Sequence, residues 1–175
     1  MINLDAEIKS VLNDALVFVV GKLKEELKAQ GHVLTGNLLN SIQISFIEAG
    51  DEIIGAIISE EYGLALDKGV RARKIPYKRG SGAKSSKYIA ALIRFFELRG
   101  LGPKNARSAA FATANVHKRE GMPTQNSFKY SSNGRRIGWI SDTVSKVGVE
   151  VDTMVYAGLG TKVVDKIIEH LNNIK

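Results

Sequence analysis

Three histidines, two pairs of adjacent carboxylates and one Gly/Ser/Lys run are the residues of this 175-residue chain that could do chemistry. His32, His117 and His170 are far apart in sequence, and none has a second ligand at the short spacing a zinc site uses. Asp51-Glu52 and Glu60-Glu61 could hold a cation or divide acid and base roles. Both pairs sit beside turn-forming residues, where adjacent carboxylates are ordinarily solvated. The chain has no cysteine, so thiolate catalysis and disulfides are excluded. It also lacks a G-x-S-x-G elbow that would expose a nucleophilic serine. In "RGSGAKSS" (79–86) Ala83 separates Gly82 from Lys84, and no apolar strand leads into it. A phosphate-cradling loop needs Gly and Lys adjacent after a strand, so this run does not qualify. No enzyme, metal or cofactor is implied.

What remains is charge. Residues 68–136 hold 17 Lys and Arg against two acids, a balance of +15, while the rest of the chain stands at −8. Residues 31–67 contain six acids and no Lys or Arg. Such segregation points to two surfaces with different surroundings, either nucleic acid or oppositely charged protein. Aromatic residues are interleaved with the basic ones at Tyr77, Tyr88, Phe128, Tyr130 and Trp139. Stacking on bases is one use for them, but only Phe128 and Tyr130 fall in a tight basic cluster. Tyr88 and Trp139 read as core residues.

The elements that must position these groups follow from periodicity. Leu4, Ile8, Leu12, Ala15, Val19, Leu23 and Leu27 recur at three- and four-residue steps, predicting a helix over 4–29 that stops at Gly31. Thr35 reads as an N-cap for a short helical turn through Leu38 and Leu39. From Ser41 the period becomes two, and "AGDE" (49–52) turns the chain into "IIGAIISE" (53–60), predicting a β-hairpin. "EYGLALDKGVRARKIPY" (61–77) begins as a short ordered segment and ends as a basic loop, and "KRGSGAKSSK" (78–87) has the composition of a flexible connection. Helical spacing resumes at 86–100 and again from Pro103 to about His117. From Ser141 the pattern is helical, with "VGVEV" (147–151) open to a strand reading. The fold class is α+β: a small antiparallel sheet packed by long N-terminal and C-terminal helices. The single domain, 1–175, carries 78–137 as a basic helical insertion. The apolar run Ala15–Val20 is too short to span a bilayer, and no leader segment precedes it.

Two stretches resemble a known family. "LTGNLLNSIQI" (34–44) looks like the TGxLxxSI motif that follows the first helix in tail-completion, or head–tail joining, proteins of tailed bacteriophages. Tyr62, Ala65, Asp67 and Gly69 in "YGLALDKGVRARKIP" are similar to that family's next motif, approximately YAxxvExGT. Asp67 stands where the family has Glu, Lys68 replaces an aromatic residue, and Val70 replaces Thr. "GWISDTV" (138–144) resembles the entry to the family's last helix. The likeness covers 4–75 well and 138–175 loosely.

The resemblance implies a structural virion protein, not an enzyme. It would form a ring of six or twelve copies at the neck, assembled in the host cytoplasm. Its partners would be portal or adaptor connector proteins and tail proteins, with non-specific contact to viral DNA in the channel and none to membrane. Arg71, Arg73, Lys74, Lys78 and Arg79 are then candidate assembly residues, and Thr35, Gly36, Asn37 and Gly69 are structural turns. The competing class is a nucleic-acid-binding module using 68–136.

Overall fold

The computed structural model describes residues 5–50, 52–78, 80 and 86–172. The order is α1 (Asp5–Ala29), α2 (Asn37–Ser41), β1 (Gln43–Ala49), β2 (Glu52–Ile58) and α3 (Tyr62–Lys68), followed by a 3-10 turn (Ala72–Lys74). After it come α4 (Lys87–Leu98), α5 (Pro103–Glu120), a second 3-10 turn (Gln125–Tyr130) and α6 (Ser141–Asn172). It is an α+β fold, mainly helical, with a two-stranded antiparallel sheet and long first and last helices. The chain divides into two compact units. One comprises residues 1–28, 35–63 and 139–175; the other comprises 29–34 and 64–138. The second unit is thus wider than the segment 78–137.

In the first unit, α1 turns Val11, Ala15, Val19, Leu23 and Leu27 inward, all buried. Asp5 and Glu7 in its first turn and Lys28 in its last suit the helix dipole. The hairpin pairs Gln43 with Ile58 and Ala49 with Glu52, in register throughout. Two strands alone are marginal in water, and the helix supports them. A Cβ built on Gly55 would lie 2.6 Å from Leu16 Cδ1, so β2 approaches α1 closely there and a larger residue would have to displace the Leu16 side chain. An ion pair between Lys9 and Glu48 adds a link from α1 to β1. On α6, a Cβ at Gly158 would come within 2.7 Å of Val11, and Lys166 pairs with Glu7 at 3.3 Å.

Residues 147–151, open to a strand reading, lie inside α6, which runs without a break past Gly148, Gly158 and Gly160. The cap of α2 is also shifted by one residue. Gly36, at φ 80°, is the N-cap, and Thr35 precedes it, its Oγ1 only 3.4 Å from the Asn37 amide. The left-handed backbone at 36 suits glycine and leaves Thr35 too far back for a strong cap.

In the second unit α4 packs against α5. Ser86 caps α4 by accepting from the Ile89 amide at 3.3 Å, and Pro103 opens α5. The face of α5 with Ala106, Ala110 and Ala114 has no solvent exposure, the four-residue spacing giving a continuous small-residue stripe. Val70 and Met122 exchange both backbone hydrogen bonds, at 2.7 and 2.8 Å, holding the entry to the basic loop beside the end of α5.

Candidate functional site

The basic loop begins at Gly69, whose φ is 68° and whose added Cβ would meet the Met122 carbonyl at 2.6 Å. Only glycine supplies both the left-handed backbone and the clearance. Beyond it the 3-10 turn at Ala72–Lys74 is anchored by Ile75, which is buried, and by Lys118 Nζ donating to the Ile75 carbonyl at 3.1 Å. The loop is therefore shaped by apolar burial and backbone bonds, while its cations point outward. Arg71, Arg73 and Lys74 are exposed, and no carboxylate among the described residues pairs with them. Lys78 is exposed as well; Arg79 lies outside the described residues.

A second group of cations gathers around Tyr130, including Arg99, which lies 31 residues away in sequence and which the sequence did not connect to it. The Arg99 guanidinium stands 4.6 Å from the Phe95 ring centroid and 5.7 Å from that of Tyr130. Lys129 approaches the Tyr130 ring at 5.2 Å. Arg136 is close enough that burial, and secondarily the charge of Arg99, weakens its hold on its proton. Cations over aromatic faces gain about 0.5–1 kcal/mol each when exposed. No carboxylate among the described residues pairs with Arg99, Lys129 or Arg136. Unneutralised guanidiniums and an exposed tyrosine ring can take phosphate oxygens or carboxylates, with a planar group stacked beside them.

Arg136 also holds the segment 29–34. Its Nη1 donates to the Gln30 carbonyl at 2.6 Å, and Gln30 Nε2 donates to the Ile137 carbonyl at 2.9 Å. His32 Nε2 lies 3.2 Å from Gln30 Oε1 and 3.2 Å from the Arg136 carbonyl. Burial, reinforced by the Arg136 charge, pushes the His32 pKa down to about 4, so its ring is neutral at pH 7. This network joins the segments 29–34 and 130–137.

Tyr88, His117, Glu60 and Glu61 stand in two further places. The Tyr88 hydroxyl is 2.6 Å from His117 Nδ1. Burial pushes Tyr88 up to about 12 and His117 down, so tyrosine donates to a neutral imidazole and each satisfies the other. Glu60 and Glu61 line an open groove of about 300 Å³ with Ser41, Gln43, Ile58 and Ser59. Both carboxylates are exposed, and Ser41 Oγ accepts there from the Glu60 amide at 3.0 Å. Asp51 lies outside the described residues. Among the described residues no three His, Asp or Glu side chains could share a metal ion, and no helix is long and apolar enough to cross a membrane. Thr35, Gly36 and Asn37 form the turn into α2, with the Asn40 amide donating to the Gly36 carbonyl at 2.8 Å.

Comparison with protein-family models, with curated proteins and with solved structures gave no match.

Proposed function

We propose that the chain is a structural subunit of a tailed-phage virion, a tail-completion or head–tail joining protein that closes into a ring at the neck and lets DNA pass. The observation that carries this reading is the coincidence of the charge boundary with the boundary between the compact units. The second unit has 17 basic residues against three acids, a net +14, and the first has eight against 15, a net −7. A ring closes by a head-to-tail contact between two different surfaces of each copy. Oppositely charged units supply such a pair and would set docking and register. The family likeness supports the same reading: helix, Thr-Gly turn, hairpin, glycine segment, basic loop and C-terminal helix follow in that order.

The test is assembly of the purified chain, by particle size at high concentration and by imaging. Wild type should form rings that weaken as salt shortens the Debye length below ~10 Å. Charge reversal of Arg71, Arg73 and Lys74 to Glu should block rings while leaving the monomer folded. Rings from the triple variant at wild-type level would refute protein contact through this loop.

The Arg99–Tyr130–Lys129 arrangement favours a second reading, a nucleic-acid-binding module. That version predicts binding to short duplexes or single strands with a steep loss on added salt. It also predicts no ring under any condition.

A further inference from the structure

Helix α6 buries one face and leaves a second apolar face exposed. Thr143 and Val147 are buried, and Gly158 abuts Val11. On the opposite side, Val149 is 80% exposed, Tyr156 78%, Val163 43% and Ile167 50%. Thr153 and Gly160 share that side and are also exposed. At ~100° per residue these six positions fall within an arc of roughly 80°. Their spacing, four then three residues in strict alternation, is that of the seam of a helix pair. A helix apolar on both sides is one that expects cover on both.

We propose that this stripe is a self-complementary seam through which two copies of the chain pair α6 against α6, antiparallel. In that register Val149 of one copy packs on Ile167 of the other, and Thr153 on Val163. Tyr156, the largest group of the stripe, falls over Gly160, where nothing lies within 4 Å of an added Cβ. On one flank Ala157 comes opposite Ala157 of the second copy, small against small; on the other Asp152 comes opposite Lys166, which within its own chain already pairs with Glu7 and Glu169. A parallel pair instead stacks Tyr156 on Tyr156 and glycine on glycine. The self-matching of large with small, Tyr156 over the open Gly160, is the reason to assign a second copy as the occupant. This contact does not rest on the neck reading, because a head-to-tail ring uses two surfaces per copy and this pairing uses one patch twice.

The absence of native cysteine makes the test clean. Two double variants, Val149→Cys with Ile167→Cys and Thr153→Cys with Val163→Cys, replace exposed residues. Within one helix each pair is separated by at least ~15 Å, beyond the reach of a disulfide. Mild oxidation of either should give a covalent dimer, whereas the single variant Val163→Cys should stay monomeric on a denaturing gel. In sedimentation at concentrations below those at which rings form, wild type should be a dimer, and Tyr156→Asp should weaken it by roughly tenfold or more, with an unchanged circular dichroism spectrum. A dimer linked through the lone Val163→Cys would show a parallel pair and overturn the register. Double variants that fail to link, or a wild type that stays monomeric or assembles only into rings, would overturn the proposal itself.

Discussion

Trp139 donates its indole N–H to the carbonyl of Gly63 at 2.9 Å, and only 1% of its surface meets solvent. A side chain at 63 would press on both the Trp139 ring and Leu38, each at 3.1 Å from the added Cβ, so the glycine admits the indole. It is the chain's single tryptophan.

Trp139→Phe removes a buried donor and part of a ring, leaving the Gly63 carbonyl without that bond. The expected loss is about 1–3 kcal/mol of stability, read as a lower urea midpoint by circular dichroism. In wild type, tryptophan emission should be blue-shifted and shift red on unfolding. A wild-type emission maximum already at that of free indole would contradict the burial.

Gly69 and Gly36 both hold left-handed backbone, but their surroundings differ. An added Cβ at 69 meets the Met122 carbonyl at 2.6 Å, while at 36 the nearest atom is Asn40 Nδ2 at 3.5 Å. Gly69→Val should therefore cost more than Gly36→Val, with backbone strain of about 1–3 kcal/mol common to both. Denaturant melts of the two variants give the order directly; the reverse order would contradict the contact at 69.

Ala110 is fully buried on α5, where α4 packs against it. Enlarging it to Leu leaves no room for three more carbons and should destabilise by about 1–3 kcal/mol. Arg107→Ala, on an exposed position of the same helix, is the control and should stay within about 0.5 kcal/mol of wild type.

His32 gives the second unit a pH dependence of known sign. Its folded pKa, depressed to about 4 by burial and then by Arg136, lies below an ordinary unfolded value of about 6.5. The unfolded chain thus binds more protons between those values, and stability falls as pH drops from 6.5 to 4. Above 6.5 the neutral ring carries no penalty. Discounted for partial exposure, the loss is on the order of 1–2 kcal/mol. Thermal melts across that window should show a shallower decline for His32→Gln than for wild type. Parallel slopes would mean the histidine titrates normally.

Much of this fold was legible in the sequence, because local periodicity and burial agree. The α1 stripe, the hairpin and the Pro103 start of α5 all follow from short-range patterns. What escaped has a common physical cause. The helical spacing runs on past Gly158 and Gly160, but the reason for Gly158, its close approach to Val11, is a fact of packing invisible along the chain. The outer stripe of α6 is masked along the sequence by a second helical series on other faces, Val144, Val147, Val151 and Val155. The Gln30–Arg136 and Arg99–Tyr130 contacts join polar residues about 106 and 31 positions apart, which no local pattern announces. The charge split needed only counting; the packing boundary that matches it did not appear until the structure was divided.

That match has a practical consequence at the bench. The net charge of +7 is a small remainder of +14 and −7 carried on separate units. A chromatographic resin meets one patch at a time, not the average. At pH 7 the protein should therefore be retained by a cation exchanger through its second unit and also, more weakly, by an anion exchanger through its first. A chain of the same isoelectric point with its charges evenly mixed would pass straight through the latter.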